Sequence, residues 1–176
     1  ERSRGLGDVY KRQHYTDQKL RRILRDVKTF ALVGASTVWR RPSYYAMTYL
    51  QHKGFKIIPI NPARVGETVL GEKVYGSLAD VPHQLDMVDI FRTSEEALDI
   101  TKDVIKNKDA RGIKYLWMQL TVRNDYAAEL AEEAGLEVIM DRCPKIEFGR
   151  LSGELSWLGV NSGIITSKTL KSPKHD

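Results

Sequence analysis

The chain has 176 residues, 41% of them hydrophobic and 29% charged, which fits one soluble domain and excludes fibrous and disordered classes. Its net charge of +5 does not mark a nucleic-acid binder, because residues 1–28 hold nine Lys/Arg against four Asp/Glu and leave 19 bases and 19 acids for the rest. With no apolar run of about 20 residues, no N-terminal secretory pattern and a single cysteine, Cys143, a cytoplasmic protein without membrane partner, internal disulfide or multi-cysteine zinc site is expected.

Residues 1–14 lack periodicity and read as a tail or a cloning scar outside the fold. Thr16 or Asp17 can cap a helix in which Leu20, Ile23, Leu24 and Val27 recur at helical spacing. Lys19, Arg21, Arg22, Arg25 and Lys28 then form its solvated face. Five apolar runs follow: Phe30–Val33, Lys56–Ile60, Met87–Phe91, Tyr115–Met118 and Val138–Met140. They are continuous rather than alternating, as strands covered on both faces of a parallel sheet must be.

Helical stretches separate the runs. Pro42–His52 has Pro in its first turn and Gly54 as a stop, Ser94–Asn107 opens with acids, and Asn124–Ala134 ends at Gly135. The loop Arg64–Gly76 replaces a crossover helix, with room for one helical turn at Leu78–Val81. This order predicts an α/β fold over residues 15–150: a Rossmann-like, doubly wound, five-stranded, mainly parallel sheet with helices on both faces. After Pro144 the period fades, and residues 151–176 read as a C-terminal extension packing on the domain.

In such sheets ligands bind beyond the carboxyl ends of the strands. The first end reads Leu32-Val33-Gly34-Ala35-Ser36. Gly34 permits a tight exit and close backbone approach, Ser36 offers a hydroxyl, and the helix at Pro42 aims free N–H groups at the same place. Arg40 and Arg41 precede that helix and can clamp phosphate oxygens, although they can equally be solvated. A phosphate-bearing ligand follows. NAD fits poorly, because only Gly34 of the G-x-G-x-x-G fingerprint is present. The second strand, moreover, ends Ile60-Asn61-Pro62-Ala63-Arg64, with a base where an acid would hold a ribose hydroxyl. An extra ribose phosphate, as on coenzyme A, suits Arg64 better.

Seven segments in order carry a resemblance: Val33-Gly34-Ala35-Ser36, Arg41-Pro42-Ser43, Pro59-Ile60-Asn61-Pro62, Gly71-Glu72, Val88-Asp89-Ile90-Phe91-Arg92, Trp117-Met118-Gln119-Leu120 and Asp141-Arg142-Cys143-Pro144-Lys145-Ile146-Glu147. From about Asp17 to Leu151 the chain resembles the stand-alone CoA-binding proteins, which are similar to the nucleotide-binding domain of the succinyl-CoA synthetase alpha subunit. The resemblance implies coenzyme A or acyl-CoA as ligand. Gly34, Ala35, Ser36, Pro42 and Ser43 would hold the pyrophosphate and Arg40 and Arg41 would neutralise it. Asn61, Pro62 and Arg64 would flank the adenosine and its 3′-phosphate. Phe91 and Arg92 would line the third strand's exit, and Met118 and Gln119 would face the pantetheine. Arg64 stands where Lys is common in such proteins, which keeps the charge and changes its geometry. The synthetase subunit's second domain, with its phosphorylated histidine, has no counterpart in the sequence, so ligase activity is not expected.

Cys143 can approach the pantetheine thiol, with Arg142 and Lys145 as thiolate stabilisers, or serve as a small buried hydrophobe. Asp141 and Glu147 pair more readily with neighbouring bases than they act as an acid/base couple. Trp39 can stack on adenine or cover its loop. Trp117 reads as core, and Tyr45 with Tyr49 can form a homodimer seam or a helix surface. No metal spacing appears. The expected function is non-catalytic binding of coenzyme A. The alternatives are a nucleotide-dependent enzyme, NAD-linked or acyl-transferring, in the same cleft, and a regulatory partner of an acyl-CoA enzyme that docks through residues 152–176.

Overall fold

The first helix forms where its cap predicts. Thr16 accepts a hydrogen bond from the Lys19 N–H at 3.1 Å, and α1 (Asp17–Asp26) buries Leu20, Ile23 and Leu24. The computed structural model describes residues 12–153. Five parallel strands follow: β1 (Thr29–Val33), β2 (Lys56–Ile60), β5 (Met87–Ile90), β6 (Tyr115–Met118) and β7 (Glu137–Ile139), ordered β2-β1-β5-β6-β7. The chain builds outward from β1 to β2, then returns to the other side of β1 for β5, β6 and β7. The strand order therefore reverses between β1 and β5, where such sheets open a crevice. Pro59 is accommodated because β2 is an edge strand, and a bridge from Ile60 to Tyr75 covers part of that edge.

The helices are α2 (Pro42–His52), α3 (Ala97–Arg111), α4 (Asp125–Glu133) and α5 (Pro144–Leu151). On one face of the sheet Ala31, Ile58, Val88, Leu116 and Met118 pack under α3 and α4. On the other, Phe30, Leu32, Ile57, Met87 and Trp117 pack under α1, α2 and α5. The sheet thus has helices on both faces and is Rossmann-like, as the sequence predicts.

Four details differ from the sequence expectation. The loop after Arg64 folds into a hairpin, β3 (Thr68–Val69) with β4 (Glu72–Lys73), turned by Leu70 and Gly71 at positive φ. The third helix begins three residues late and runs on to Gly112, whose left-handed conformation ends it. Ahead of it, Thr93 and Glu96 exchange side-chain-to-backbone hydrogen bonds at 3.0 and 3.2 Å, a capping box. Pro144–Leu151 is helical rather than irregular. Arg12, placed in the tail by sequence, pairs with Glu132 at 2.9 Å, and Gln13 accepts from Arg142. Most of the expected extension, from residue 154, lies outside the described residues, as do residues 1–11 of the tail. No helix among the described residues is long and apolar enough to cross a membrane.

Candidate functional site

Gly34 stands at the switch point. Its φ is +92°, and a Cβ there would collide with the Phe91 carbonyl oxygen and the Arg92 side chain, so only glycine lets the exits of β1 and β5 meet this closely. The Phe91 N–H donates to the Val33 carbonyl at 2.8 Å, and the Gly34 and Ala35 N–H groups both donate to the Ile60 carbonyl. Asn61 ties the exits of β1 and β2 together: its Nδ2 donates to the Ala35 carbonyl at 2.8 Å, and its Oδ1 caps the turn Pro62–Arg64.

Beside this junction opens a cleft of about 470 Å³, lined by Val33, Gly34, Asn61, Pro62, Ala63, Arg92, Glu96, Asp99 and Ile100. Its size is that of a small-molecule site, and its apolar floor with a polar rim suits a flat heterocycle carrying a sugar. Above it, the N-terminus of α2 is capped by Arg41 with no side-chain hydrogen bond, which leaves the helix's positive end for another acceptor.

The structure brings together part of the predicted set. Gly34, Asn61, Pro62 and Arg92 line the cleft. Arg40, Arg41 and Pro42 are exposed on the loop and first turn above it, with the Arg40 guanidinium 5.3 Å from the Trp39 ring centre. Trp39 itself is 60% exposed.

Other expectations need correcting. The N–H groups expected to cradle a phosphate are engaged internally: Gly34 and Ala35 on Ile60, and Ser36 on the Oγ of buried Ser43 at 3.1 Å. What remains for a phosphate is the positive end of α2, whose Tyr44 and Tyr45 N–H groups donate to the Arg41 carbonyl, and the exposed Arg40 and Arg41 beside it. Met118 points into the core under α3 and α4 with no exposure, because on a pleated strand it alternates with Trp117, which packs on the opposite face. Gln119 is buried and bound to Cys143 rather than open to solvent. Phe91 packs against the α1/α2/α5 side. Arg64 lies beyond the lining and pairs with Glu67 at 3.3 Å. Tyr49 meets Phe148 edge-on at 6.4 Å, so of the two seam candidates only Tyr45 faces outward. Trp117 is core, its Nε1 donating to the Arg142 carbonyl at 2.8 Å. Glu147 is held by Arg150 at 2.7 Å, and Asp141 accepts from the Thr121 N–H.

The missed lining residues are Val33 and Ala63, next to predicted Gly34 and Pro62, and Glu96, Asp99 and Ile100 at the head of α3. The Thr93-x-x-Glu96 pattern was the one legible signal of the last three. Arg92 holds Glu96 at 2.6 Å, and this contact with the Thr93 hydrogen bonds keeps the Glu96 carboxyl ionised down to about 2. Burial pushes the Cys143 thiol up, and Cys143 is only 2% exposed, which is the environment of an inert thiol.

A wider recess of about 790 Å³ lies at the opposite edge, between α1 and the start of β6, lined by Gln18, Arg21, Arg22, Arg25, Asp26 and Tyr115. It is an open surface at the strands' amino ends. Arg22 is bound to Glu137 at 2.6 Å and Asp26 to the Tyr115 hydroxyl at 2.6 Å, so its central charges are already satisfied. Volume alone therefore does not select the site.

Known proteins resemble the chain in sequence and in fold. The family model described as a CoA binding domain matches residues 28–149. The chain is 31% identical over 134 residues to the uncharacterized protein YneT of Bacillus subtilis, covering 76% of this chain and 95% of that one. A solved hypothetical protein from Pyrococcus horikoshii superposes with a TM-score of 0.73 at 35% identity, over 87% of this chain and 99% of its own. An ADP-forming acetate–CoA ligase of Archaeoglobus fulgidus is 32% identical over 106 residues, which is 59% of this chain and 15% of the ligase.

Proposed function

The chain belongs to the CoA-binding-domain family, and from that premise we propose that it binds coenzyme A or an acyl-CoA, without chemistry of its own, at the crevice between β1 and β5. The observation that carries the reading is the Gly34 junction: a glycine required by its neighbours at the strand reversal, with a cleft on one side and an uncapped helix N-terminus on the other. The adenosine takes the cleft over Val33, Pro62 and Ile100. The pyrophosphate takes the head of α2, where Arg40 and Arg41 neutralise it. Arg64 leaves Glu67 for the ribose 3′-phosphate. The binding-module reading rests on the same residues: the one thiol is buried with its pKa raised, and Glu96 on the cleft rim is committed to Arg92 and to the cap of α3. The protein is taken to work in the cytoplasm as a carrier or sensor of its ligand.

Titration calorimetry of the full chain with coenzyme A and with its 3′-dephospho analogue tests this. Coenzyme A binds the parent more tightly than the analogue, and the difference vanishes in Arg64→Ala. Equal binding of both ligands by the parent removes Arg64 from the site. Binding of NAD or ATP with no binding of coenzyme A overturns the reading and leaves a nucleotide-dependent enzyme in its place.

A further inference from the structure

Asp89 occupies the third position of β5, in the middle of the sheet, with no exposure at all. Neither of its carboxyl oxygens has a hydrogen-bond partner among the described residues. Its register neighbours are Leu32 on β1 and Trp117 on β6. Two residues past Trp117, and so on the same side of the sheet, stands Gln119. Its Oε1 is also buried without a partner, while its Nε2 donates to Cys143 Sγ at 3.3 Å. Cys143 heads α5 and feels the Asp89 charge.

Among the described residues no other charge serves the carboxyl. Against this face α1 and α2 bury no charged side chain. From α5, Glu147 is occupied by Arg150, and the Lys145 Nζ stands 5.8 Å over the Tyr49 ring. Burial alone acts on the Asp89 carboxyl, and it pushes the pKa well up. Three buried acceptor atoms that lack donors are what folded proteins avoid, and an ionised carboxylate there would stand uncompensated in a low-dielectric interior. One proton removes the charge and turns one Asp89 oxygen into a donor for Gln119 Oε1.

We propose that Asp89 is held as the neutral carboxylic acid and donates its O–H to Gln119 Oε1, so that Asp89, Gln119 and Cys143 form one hydrogen-bonded relay joining the centre of β5 to the exits of β6 and β7. Asp89 is a positioning residue. It accepts the role of donor that no other side chain supplies, and it fixes which end of the Gln119 amide faces the sulfur. The relay sets the carboxyl edge of the sheet next to the Gly34 junction without touching a ligand.

Two readouts test it. In the infrared spectrum of the parent at pH 7, where ordinary carboxyls are ionised, a protonated-acid C=O band stands above the amide band and shifts in D₂O. It is absent from Asp89→Asn and displaced in Gln119→Leu. The second readout is stability against pH. A carboxyl whose pKa is raised on folding stabilises fully below the ordinary Asp range and loses that contribution as pH rises. The parent's folding constant therefore falls relative to Asp89→Asn by roughly tenfold per pH unit between about pH 5 and 7. A parent spectrum without the band, or a parent-to-variant ratio flat across that range, overturns the proposal. Should Asp89→Asn fail to fold, the parent spectrum decides alone. Neither readout uses a ligand, so the result is independent of the coenzyme A reading.

Discussion

The two faces of the sheet are built on different terms. Toward α3 and α4 the buried strand side chains are apolar, Ala31, Ile58, Val88, Leu116 and Met118 among them, and α3 adds buried Thr101 and Asn107. Toward α1, α2 and α5 the same strands present Asp89 and Gln119 beside Phe30, Leu32 and Trp117, and α5 adds buried Cys143, Lys145 and Glu147. The apolar strand contacts of the first face are stabilised by area and packing, which do not depend on pH. The mixed face depends on each polar group finding its partner, and an error there costs more than a missing methylene. The polar groups gather at the carboxyl ends of β6 and β7, next to the crevice, and not at the amino ends. The cleft itself opens on the α3 side, where Val33 and Ile100 pack against the apolar cluster, while the head of α2 rises from the mixed face, so the candidate site draws on both.

The largest break in this comparison comes from the apolar face. Met118→Ala empties a fully buried position and should cost about 3 kcal/mol in denaturant unfolding, equally at pH 5 and pH 8. Coenzyme A affinity of the folded variant should be that of the parent, because Met118 is fully buried and does not line the cleft. A selective loss of affinity would return Met118 to the ligand site. Gly34→Ala tests the junction between the faces. A non-glycine at that φ, pressed on Phe91 and Arg92, should cost about 2 kcal/mol, and the displaced strand exits should abolish binding in the variant that still folds.

These outcomes also show what a sequence can convey. Runs such as Lys56–Ile60 and Tyr115–Met118 coincide with strands because a parallel strand covered on both sides must be apolar throughout, and nothing else in a soluble chain is. Pro42–His52 is bounded by local chemistry alone, a first-turn Pro and a Gly stop. The hairpin at Thr68–Lys73 has two-residue strands, too short for any period to register. The helix Pro144–Leu151 hides because it buries Lys145 and Glu147, whose letters read as exposed. Lys145 lies against Tyr49 of another helix, a contact that no local pattern encodes, while Glu147 pairs with Arg150 three residues on. In the site, Gly34 and Asn61 were legible from the turn chemistry of β1 and β2. The pleat sent Met118 inward and the tertiary pairing of Ser36 with Ser43 consumed a predicted phosphate donor, and both facts belong to three dimensions.

Smaller effects sharpen the division of labour within the crevice. Arg41 is exposed and caps α2 without a side-chain bond, so Arg41→Ala should leave stability within about 0.5 kcal/mol. It should weaken coenzyme A by roughly 1.5 kcal/mol, about tenfold, in the same calorimetric titration. Unchanged affinity would mean that the pyrophosphate sits elsewhere.

The smallest expected effect separates holding a helix from holding a ligand. Glu96 keeps Arg92 at 2.6 Å and caps α3 through Thr93. Its carboxyl is depressed to about 2, first by Arg92 and then by the Thr93 hydrogen bonds. Because the folded pKa is lowered, its contribution is complete above the unfolded Glu range and fades as pH falls toward about 2. Glu96→Gln should therefore shed a shallow acid-side dependence of the melting temperature and change neutral-pH stability little, since the pair is half exposed. The same substitution releases Arg92 into the cleft without an anionic partner, and coenzyme A should bind a few-fold more tightly at low salt, the gain shrinking as salt rises. Tighter binding would assign Arg92 to the ligand's phosphates. Weaker binding would show that the order of the α3 head, rather than a free guanidinium, is what the crevice requires from this pair.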